Sequence, residues 1–133
     1  MVCMHLLALD IGLRRTGVAF GDTKSGVVVA LDTFHHSTAH ELATKVERVV
    51  REKKIESLII GLPLLLSGEE GEQSGLIREA ADVIGKLVAI PVEFIDERYT
   101  TKKSLGGPKS DPDALAACTI LTIKMDRKNA IDM

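Results

Sequence analysis

Hydrophobic residues in the first third of the chain form short runs that are separated by turn residues. Three such runs cover His5 to Asp10, Thr16 to Gly21 and Val27 to Phe34, and the last is rich in β-branched residues. The connections between them are short and contain Gly-Asp and Ser-Gly turn signals. Three strands joined in this way predict an antiparallel meander.

From Thr38 onward the hydrophobic spacing changes to that of a helix. Thr38 and Glu41 have the spacing of a capping box, and Leu42 and Val46 begin an apolar stripe behind them. Ser57 to Gly61 predicts a short buried strand. The spacing then predicts a second helix with this buried side: Leu76, Ile77, Ala80, Ala81, Ile84, Leu87 and Val88.

A strand over Val92 to Ile95 and a last helix from Asp113 to about Lys124 complete the predicted order, which is β-β-β-α-β-α-β-α. Strands joined through helices are expected to be parallel, with right-handed crossovers. The chain is therefore predicted to be an α/β protein. Its sheet is a mixed five-stranded one, with the three-strand antiparallel meander plus two parallel strands, flanked by helices. The length of 133 residues predicts a single domain over residues 1–133.

Composition and charge narrow the classes of protein to which the chain can belong. No apolar run reaches the roughly 18–20 residues that cross a bilayer, and no secretory signal pattern is visible, so we expect a cytoplasmic protein without membrane contact. The net charge of −2 is not that of a protein that coats nucleic acid indiscriminately. Cys3 and Cys118 lie far apart and show no metal-ligand spacing, which predicts packed, reduced thiols.

Carboxylates stand where three predicted elements begin or end. Asp10 ends the first strand, Asp96 and Glu97 follow the last strand, and Asp113 lies in the first turn of the last helix. Each has an ordinary structural explanation, because an Asp can cap a turn and a helix dipole stabilises an acid in its first turn. If the two strands point the same way, however, these acids meet at one edge of the sheet. They would then suit Mg²⁺ or Mn²⁺, and two such ions can promote phosphodiester cleavage.

Four segments of the chain resemble the YqgF/RuvX family. They are LALDIGLRRTGVAFGD (7–22), IIGLPLLLSGEEGEQ (59–73), IDERYTT (95–101) and DALAACTIL (113–121). Members of this family are RNase H-like proteins described as Holliday junction resolvases and as nucleases that mature the 5′ end of pre-16S rRNA. The connection between Glu97 and Asp113 is about ten residues shorter than the family pattern.

This resemblance implies an RNase H-like fold and a divalent-metal-dependent nuclease with Asp10, Glu97 and Asp113 as its acidic triad. The triad would hold Mg²⁺ or Mn²⁺, as two ions. The implied partner is structured RNA, with 5′-end maturation of pre-16S rRNA preferred over cleavage of a branched DNA junction. A non-catalytic nucleic-acid or transcription-associated module on the same fold is the alternative. An actin-like ATPase is excluded because it requires two such domains.

Basic residues near the acids are candidates for holding phosphates, with ordinary solvated surface as the equal alternative. They are Arg14, Arg15, Arg98, Lys102 and Lys103. His35, His36 and His40 form a cluster that is predicted to be solvent-exposed or capping rather than metal-binding. The sequence leaves the oligomeric state open, a homodimer included.

Overall fold

The elements follow one another in the predicted order. The computed structural model describes residues 4–63, 67–96 and 112–131, and in the last of these segments the side chains of residues 115–125. The described strands and helices are β1 (His5–Ile11), β2 (Arg15–Asp22), β3 (Val27–His35), α1 (Ala39–Lys53), β4 (Ser57–Leu62), α2 (Glu72–Val88), β5 (Val92–Asp96) and α3 (Pro112–Ile131). The last helix is longer than predicted, because it continues past Lys124 to Ile131.

The strands form one mixed sheet in the order β3-β2-β1-β4-β5. β1 pairs antiparallel with β2, and β2 pairs antiparallel with β3, which confirms the predicted meander. β4 lies parallel to both β1 and β5, as expected for strands that helices connect. β1 is therefore the central strand, and the carboxyl ends of β1, β4 and β5 lie at one edge of the sheet, called here the carboxyl edge.

Alternate residues of β1 enter two separate hydrophobic clusters. Leu7, Leu9 and Ile11 pack in the cluster that contains the buried residues of α1 and α2. Leu6 and Ala8 pack in the cluster that contains the buried residues of α3. The period-two alternation of a strand thus gives the sheet an α1/α2 face and an α3 face.

Helix α1 begins with the predicted capping box in a slightly shifted form. The Glu41 amide donates to Thr38 Oγ1 over 3.1 Å, as predicted. The Glu41 carboxylate reaches back to the Ser37 amide, at 2.5 Å, and not to that of Thr38. One amide in the first turn of α1 and one amide just before its N-cap are satisfied in this way, which fixes where the chain leaves β3.

Two leucines that the spacing assigned to the buried side of α2 are exposed. Leu76 is 55% exposed and Leu87 is 45% exposed, whereas Ile77, Ala80 and Ile84 are buried as predicted. The stripe that packs on α1 and the sheet is narrower than the run of apolar residues, so leucines at its two margins face water. This part of the prediction was wrong.

Helix α3 lies directly against β2 at a glycine. A Cβ added to Gly21 would be 2.7 Å from Leu121 Cδ2 and 3.2 Å from Met125 Sδ. Both of those side chains are buried in the cluster on the α3 face. The absence of a side chain at Gly21 therefore sets how closely α3 approaches the sheet.

Cys118 of the same helix is half-buried, and burial raises the pKa of its thiol, in agreement with a packed, reduced cysteine.

Candidate active site at the carboxyl edge of the sheet

Asp10 lies at the carboxyl edge of the central strand, on the α3 face. Its place in the alternation of β1 follows Leu6 and Ala8, which both pack against α3. Its side chain is half-buried. Directly opposite it on β2 stands Gly17, which has no side chain. A half-buried acid in such a place is costly unless hydrogen bonds or a cation compensate its charge.

The end of β5 lies at the same edge, two strands away from Asp10. Leu9 is level with Ile60 of β4, and Ile60 is level with Phe94 of β5. Ile95 packs on the α3 face, whereas Phe94 packs on the α1/α2 face, so alternation puts Asp96 on the α1/α2 face. Asp96 and Asp10 therefore share an edge but belong to opposite faces of the sheet. Glu97 lies outside the described residues.

The remaining predicted site residues are only partly described. The backbone of Asp113 lies in the first turn of α3, as the sequence predicts, but its side chain is not among those described. Arg98, Lys102 and Lys103 lie outside the described residues. Within the part of the chain that the structure describes, no group of three or more His, Cys, Asp or Glu residues is placed to hold a metal ion.

Arg14 and Arg15 are both exposed at the turn that follows β1. They line a shallow depression of about 440 Å³ together with His35, His36, Ser37 and Glu41. The backbone of this turn is tied to the end of β3, because the His36 amide donates to the Arg14 carbonyl over 3.0 Å. The two arginines therefore stand at the carboxyl edge on a well-anchored turn, and we call this depression the arginine groove.

The three histidines do not form a metal site, and one of them is not exposed as predicted. His35 and His40 are exposed, but His36 is only 7% exposed. Its Nε2 lies 2.7 Å from the buried hydroxyl of Thr16. Its Nδ1 has no hydrogen-bond partner among the described residues. Burial is the main cause that lowers the pKa of His36. The nearby charges of Lys45 and His35 lower this pKa further, whereas that of Glu41 raises it. The ring is therefore neutral near pH 7.

An apolar cavity of about 420 Å³, here called the turn pocket, lies beside the same turn on the α1/α2 face. Sequence reasoning missed it, although the exposed Leu13, 80% accessible at the turn, and Leu76 both belong to it. Its lining comes from the β1–β2 turn, the start of α1 and one side of α2: Ile11, Gly12, Leu13, His36, Ser37, Thr38, Ala39, Leu42, Gln73, Leu76, Ile77, Glu79, Ala80 and Val83. The available signal in the sequence was a leucine in the β1–β2 turn, Leu13, and a leucine beside the buried Ile77 of α2, Leu76.

Comparison with known families gives a match over most of the chain. Residues 4–127 match the family model of RuvX, described as Holliday junction resolvase. The chain belongs to the RuvX family. Similar relatives named "Putative pre-16S rRNA nuclease" come from Chloroflexus aurantiacus (31% identical, covering 94% of this chain and 88% of the relative) and Thermosynechococcus vestitus (31% identical, covering 95% and 90%).

Solved structures place this RuvX-family chain in the expected fold. Thermus thermophilus RuvC in complex with a Holliday junction substrate superposes with a TM-score of 0.67 at 15% identity, covering 95% of this chain and 96% of that one. A second structure of Thermus thermophilus RuvC gives a TM-score of 0.61 at 16% identity. The RNase H-like fold that the resemblance implied is confirmed. None of the described helices has the length and apolar character needed to span a bilayer.

Proposed function

We propose that this RuvX-family chain is a divalent-metal-dependent endonuclease of structured nucleic acid, acting in the cytoplasm on the 5′ end of pre-16S rRNA. The observation that carries the proposal is the position of Asp10. It is a half-buried carboxylate at the carboxyl edge of the central strand, beside a glycine, on the face that α3 covers. The family membership and the names of the relatives support the class of reaction.

The proposed triad is completed by Glu97 and Asp113. Glu97 follows Asp96 in the chain, and continued alternation from Ile95 would bring it to the α3 face, the face of Asp10. Strands two places apart in a sheet are about 10 Å apart, and the register continued by one residue makes Asp10 level with Ile95, so Glu97 would be two residues, about 7 Å, further along. Carboxylates from the two strands could then reach ions that lie between them. This support rests on the register of β1, β4 and β5.

The orientation of α3 supports the part of Asp113. Leu121 and Met125 lie over Gly21, which pairs with Leu6 near the amino end of β1. Asp113 precedes Leu121 by eight residues, about 12 Å along a helix, and Asp10 follows Leu6 by four residues, about 13 Å along a strand. A helix that runs back along β1 from Leu121 would therefore bring its first turn level with Asp10.

The donor set fits a hard divalent cation, since Asp10, Glu97 and Asp113 offer carboxylate oxygens. When bound there, Mg²⁺ or Mn²⁺ would neutralise phosphate charge and promote attack by water. Arg14 and Arg15 would hold neighbouring phosphates, together with Arg98, Lys102 and Lys103. Addition of water to phosphorus with loss of O3′ leaves a 3′-hydroxyl and a 5′-phosphate, the proton of water passing to the leaving oxygen.

The test is a cleavage assay with Mg²⁺ or Mn²⁺ on a structured RNA that contains the 5′ flank of 16S rRNA, and on a four-way DNA junction. We expect the wild type to cut the RNA. Asp10→Asn should lower the rate by more than about 100-fold, since metal ligands matter more than their supporting partners. Asp32→Asn is the matched control, because Asp32 is an exposed acid of β3. Cleavage of the junction alone would redirect the proposal to a resolvase.

A readout that does not depend on activity is metal-linked stability. A ligand at 100 times its dissociation constant stabilises the native state by about 2.7 kcal/mol. Mn²⁺ should therefore raise the melting temperature of the wild type and of Asp32→Asn, but not that of Asp10→Asn, Glu97→Gln or Asp113→Asn. A wild type that binds RNA but neither cuts it nor responds to either metal would instead be a non-catalytic module.

A further inference from the structure

We propose that the turn pocket receives one unpaired base of the substrate strand, so that the preferred substrate carries a single-stranded segment beside its folded part. This inference rests on the proposed nuclease function and specifies its substrate class.

The pocket opens at the same edge of the sheet as Asp10 but on the opposite face. Ile11 and Gly12, which line it, are the two residues that follow Asp10 in the chain. Consecutive Cα atoms are 3.8 Å apart, so the pocket begins within about two residues of the candidate catalytic carboxylate. A strand that crosses the carboxyl edge at Asp10 can therefore present a neighbouring base to the pocket.

The lining suits a flat ring with polar edges. The volume of about 420 Å³ falls in the range of roughly 300–1,000 Å³ that small-molecule sites occupy. Leu13 and Leu76, the most exposed large hydrophobic residues of the described chain, stand at the pocket with their apolar surface in water. Extruded bases are held between apolar or aromatic side chains while polar groups contact their edges. Thr38 and Gln73 are exposed polar residues of the same lining.

Charge beside the pocket favours a nucleic acid strand over an apolar protein segment. The arginine groove shares His36 and Ser37 with the turn pocket, so the two depressions adjoin. Arg14 and Arg15 are exposed in the arginine groove, whose one acidic lining residue, Glu41, accepts a hydrogen bond from the Ser37 amide. The turn pocket has one acidic lining residue of its own, the exposed Glu79 of α2, a helix that does not line the arginine groove. An apolar cavity next to two guanidinium groups matches a base next to its phosphates.

The first experiment measures binding of an RNA hairpin with a single-stranded 5′ extension by fluorescence anisotropy, in EDTA so that no cleavage occurs. Leu76→Gln should weaken binding about 5- to 10-fold, because it replaces apolar surface against which the base would pack. Leu87→Gln is the matched control, because Leu87 is an exposed leucine of the same helix that does not line the pocket. Leu13→Gln, also at an exposed position, should behave like Leu76→Gln. A blunt duplex should bind all variants alike.

The second experiment places single abasic sites along the extension. One position should weaken binding to the wild type and to Leu87→Gln but have no further effect on Leu76→Gln, because the two changes remove the same contact. Equal binding by Leu76→Gln and Leu87→Gln, or equal weakening on a blunt duplex, would overturn the inference. So would unchanged RNA binding with a loss of self-association in sedimentation, which would assign the pocket to a second copy of the chain.

The two proposals fail in different ways. Suppose that the wild type cuts the hairpin in Mg²⁺ and Asp10→Asn does not, but that no abasic position weakens binding more than the others. The nuclease proposal would then be supported and the base-pocket proposal would be wrong. If the wild type neither binds nor cuts any of the RNAs, the proposed function itself falls.

Discussion

Replacing Gly21 with alanine tests how α3 is seated on the sheet. The new methyl carbon would lie 2.7 Å from Leu121 Cδ2 and 3.1 Å from Leu121 Cγ. Ordinary contact begins near 3.4 Å, so the closer pair is about 0.7 Å too near. Leu121 is fully buried and cannot swing into solvent, and Met125 Sδ blocks the other side at 3.2 Å. Either the helix or the strand has to move.

The expected cost follows from two opposing effects. Overpacking of a close-packed core costs about 1–3 kcal/mol, whereas replacing Gly by Ala restricts the unfolded chain and returns about 0.4–1 kcal/mol. We therefore expect Gly21→Ala to lower the free energy of unfolding by about 1–2 kcal/mol in urea denaturation. At this chain length, each kcal/mol corresponds to roughly 3–5 °C in melting temperature.

The matched control is Gly85→Ala in the last turn of α2. A Cβ there meets nothing within 4 Å, so the same substitution should stabilise the protein by about 0.5–1 kcal/mol. A further test combines Gly21→Ala with Leu121→Ala, which removes the clashing atoms. The double variant should be more stable than the sum of the single effects by about 1 kcal/mol or more. Additive effects, or a Gly21→Ala protein as stable as the wild type, would show that α3 is not held where the structure has it.

Three further predictions concern the carboxyl edge. Thr38→Ala should cost about 1 kcal/mol in urea denaturation, because it removes the hydroxyl that accepts the Glu41 amide. Gly12→Ala should cost about 2 kcal/mol or more and weaken RNA binding, because its Cβ would lie 2.5 Å from the Arg15 carbonyl oxygen, a backbone atom that cannot rotate away. Burial lowers the pKa of His36, so the unfolded chain takes up a proton first as the pH falls below about 6.5, and stability should decline there. His36→Gln should flatten this decline.

Each of these predictions has its own check. A Thr38→Ser variant keeps a capping hydroxyl and should be close to the wild type. Gly26→Ala is not a suitable control for Gly12, because Gly26 has a positive φ of 76°. Gly75→Ala is suitable, since its Cβ meets nothing within 4 Å. For the pH profile, the exposed His40→Gln should retain the decline of the wild type; a profile that His40→Gln flattens and His36→Gln leaves unchanged would contradict the assignment.

Much of the fold could be predicted because the hydrophobic spacing is strong. The β-branched run of β3 precedes α1 and the apolar run of β4 follows it. The capping residue Thr38 marks the point where the hydrophobic spacing changes from that of a strand to that of a helix. These signals are local, so the order of elements and the mixed pairing of the sheet followed from them. The end of α3 was predicted too early, because its polar residues after Lys124 continue the helix without a local stop signal.

The candidate site was only partly predictable because its geometry depends on faces and margins. The sequence indicates that Asp10 ends a strand. Only the hydrophobic clusters on the two sides of the sheet show that Asp10 belongs to the α3 face and Asp96 to the α1/α2 face. Leu76 has the spacing of a buried residue and is nevertheless exposed, since the packing stripe of α2 is narrower than its apolar run. His36 is buried and contacts Thr16, which is twenty residues away in the chain, so no local sequence pattern could predict its burial.

The order in which the chain is made has a consequence for the α3 face. Helix α3 follows all five described strands in the sequence, yet it covers the residues of β1 and β2 that point away from α1 and α2. During synthesis the earlier elements can fold first, with Leu6, Ala8 and Ala19 still exposed to solvent on that side. A nascent chain would thus display Asp10 well before the helix that bears Asp113 arrives. The proposed enzyme would remain inert beside the ribosome that makes it until its last helix docks.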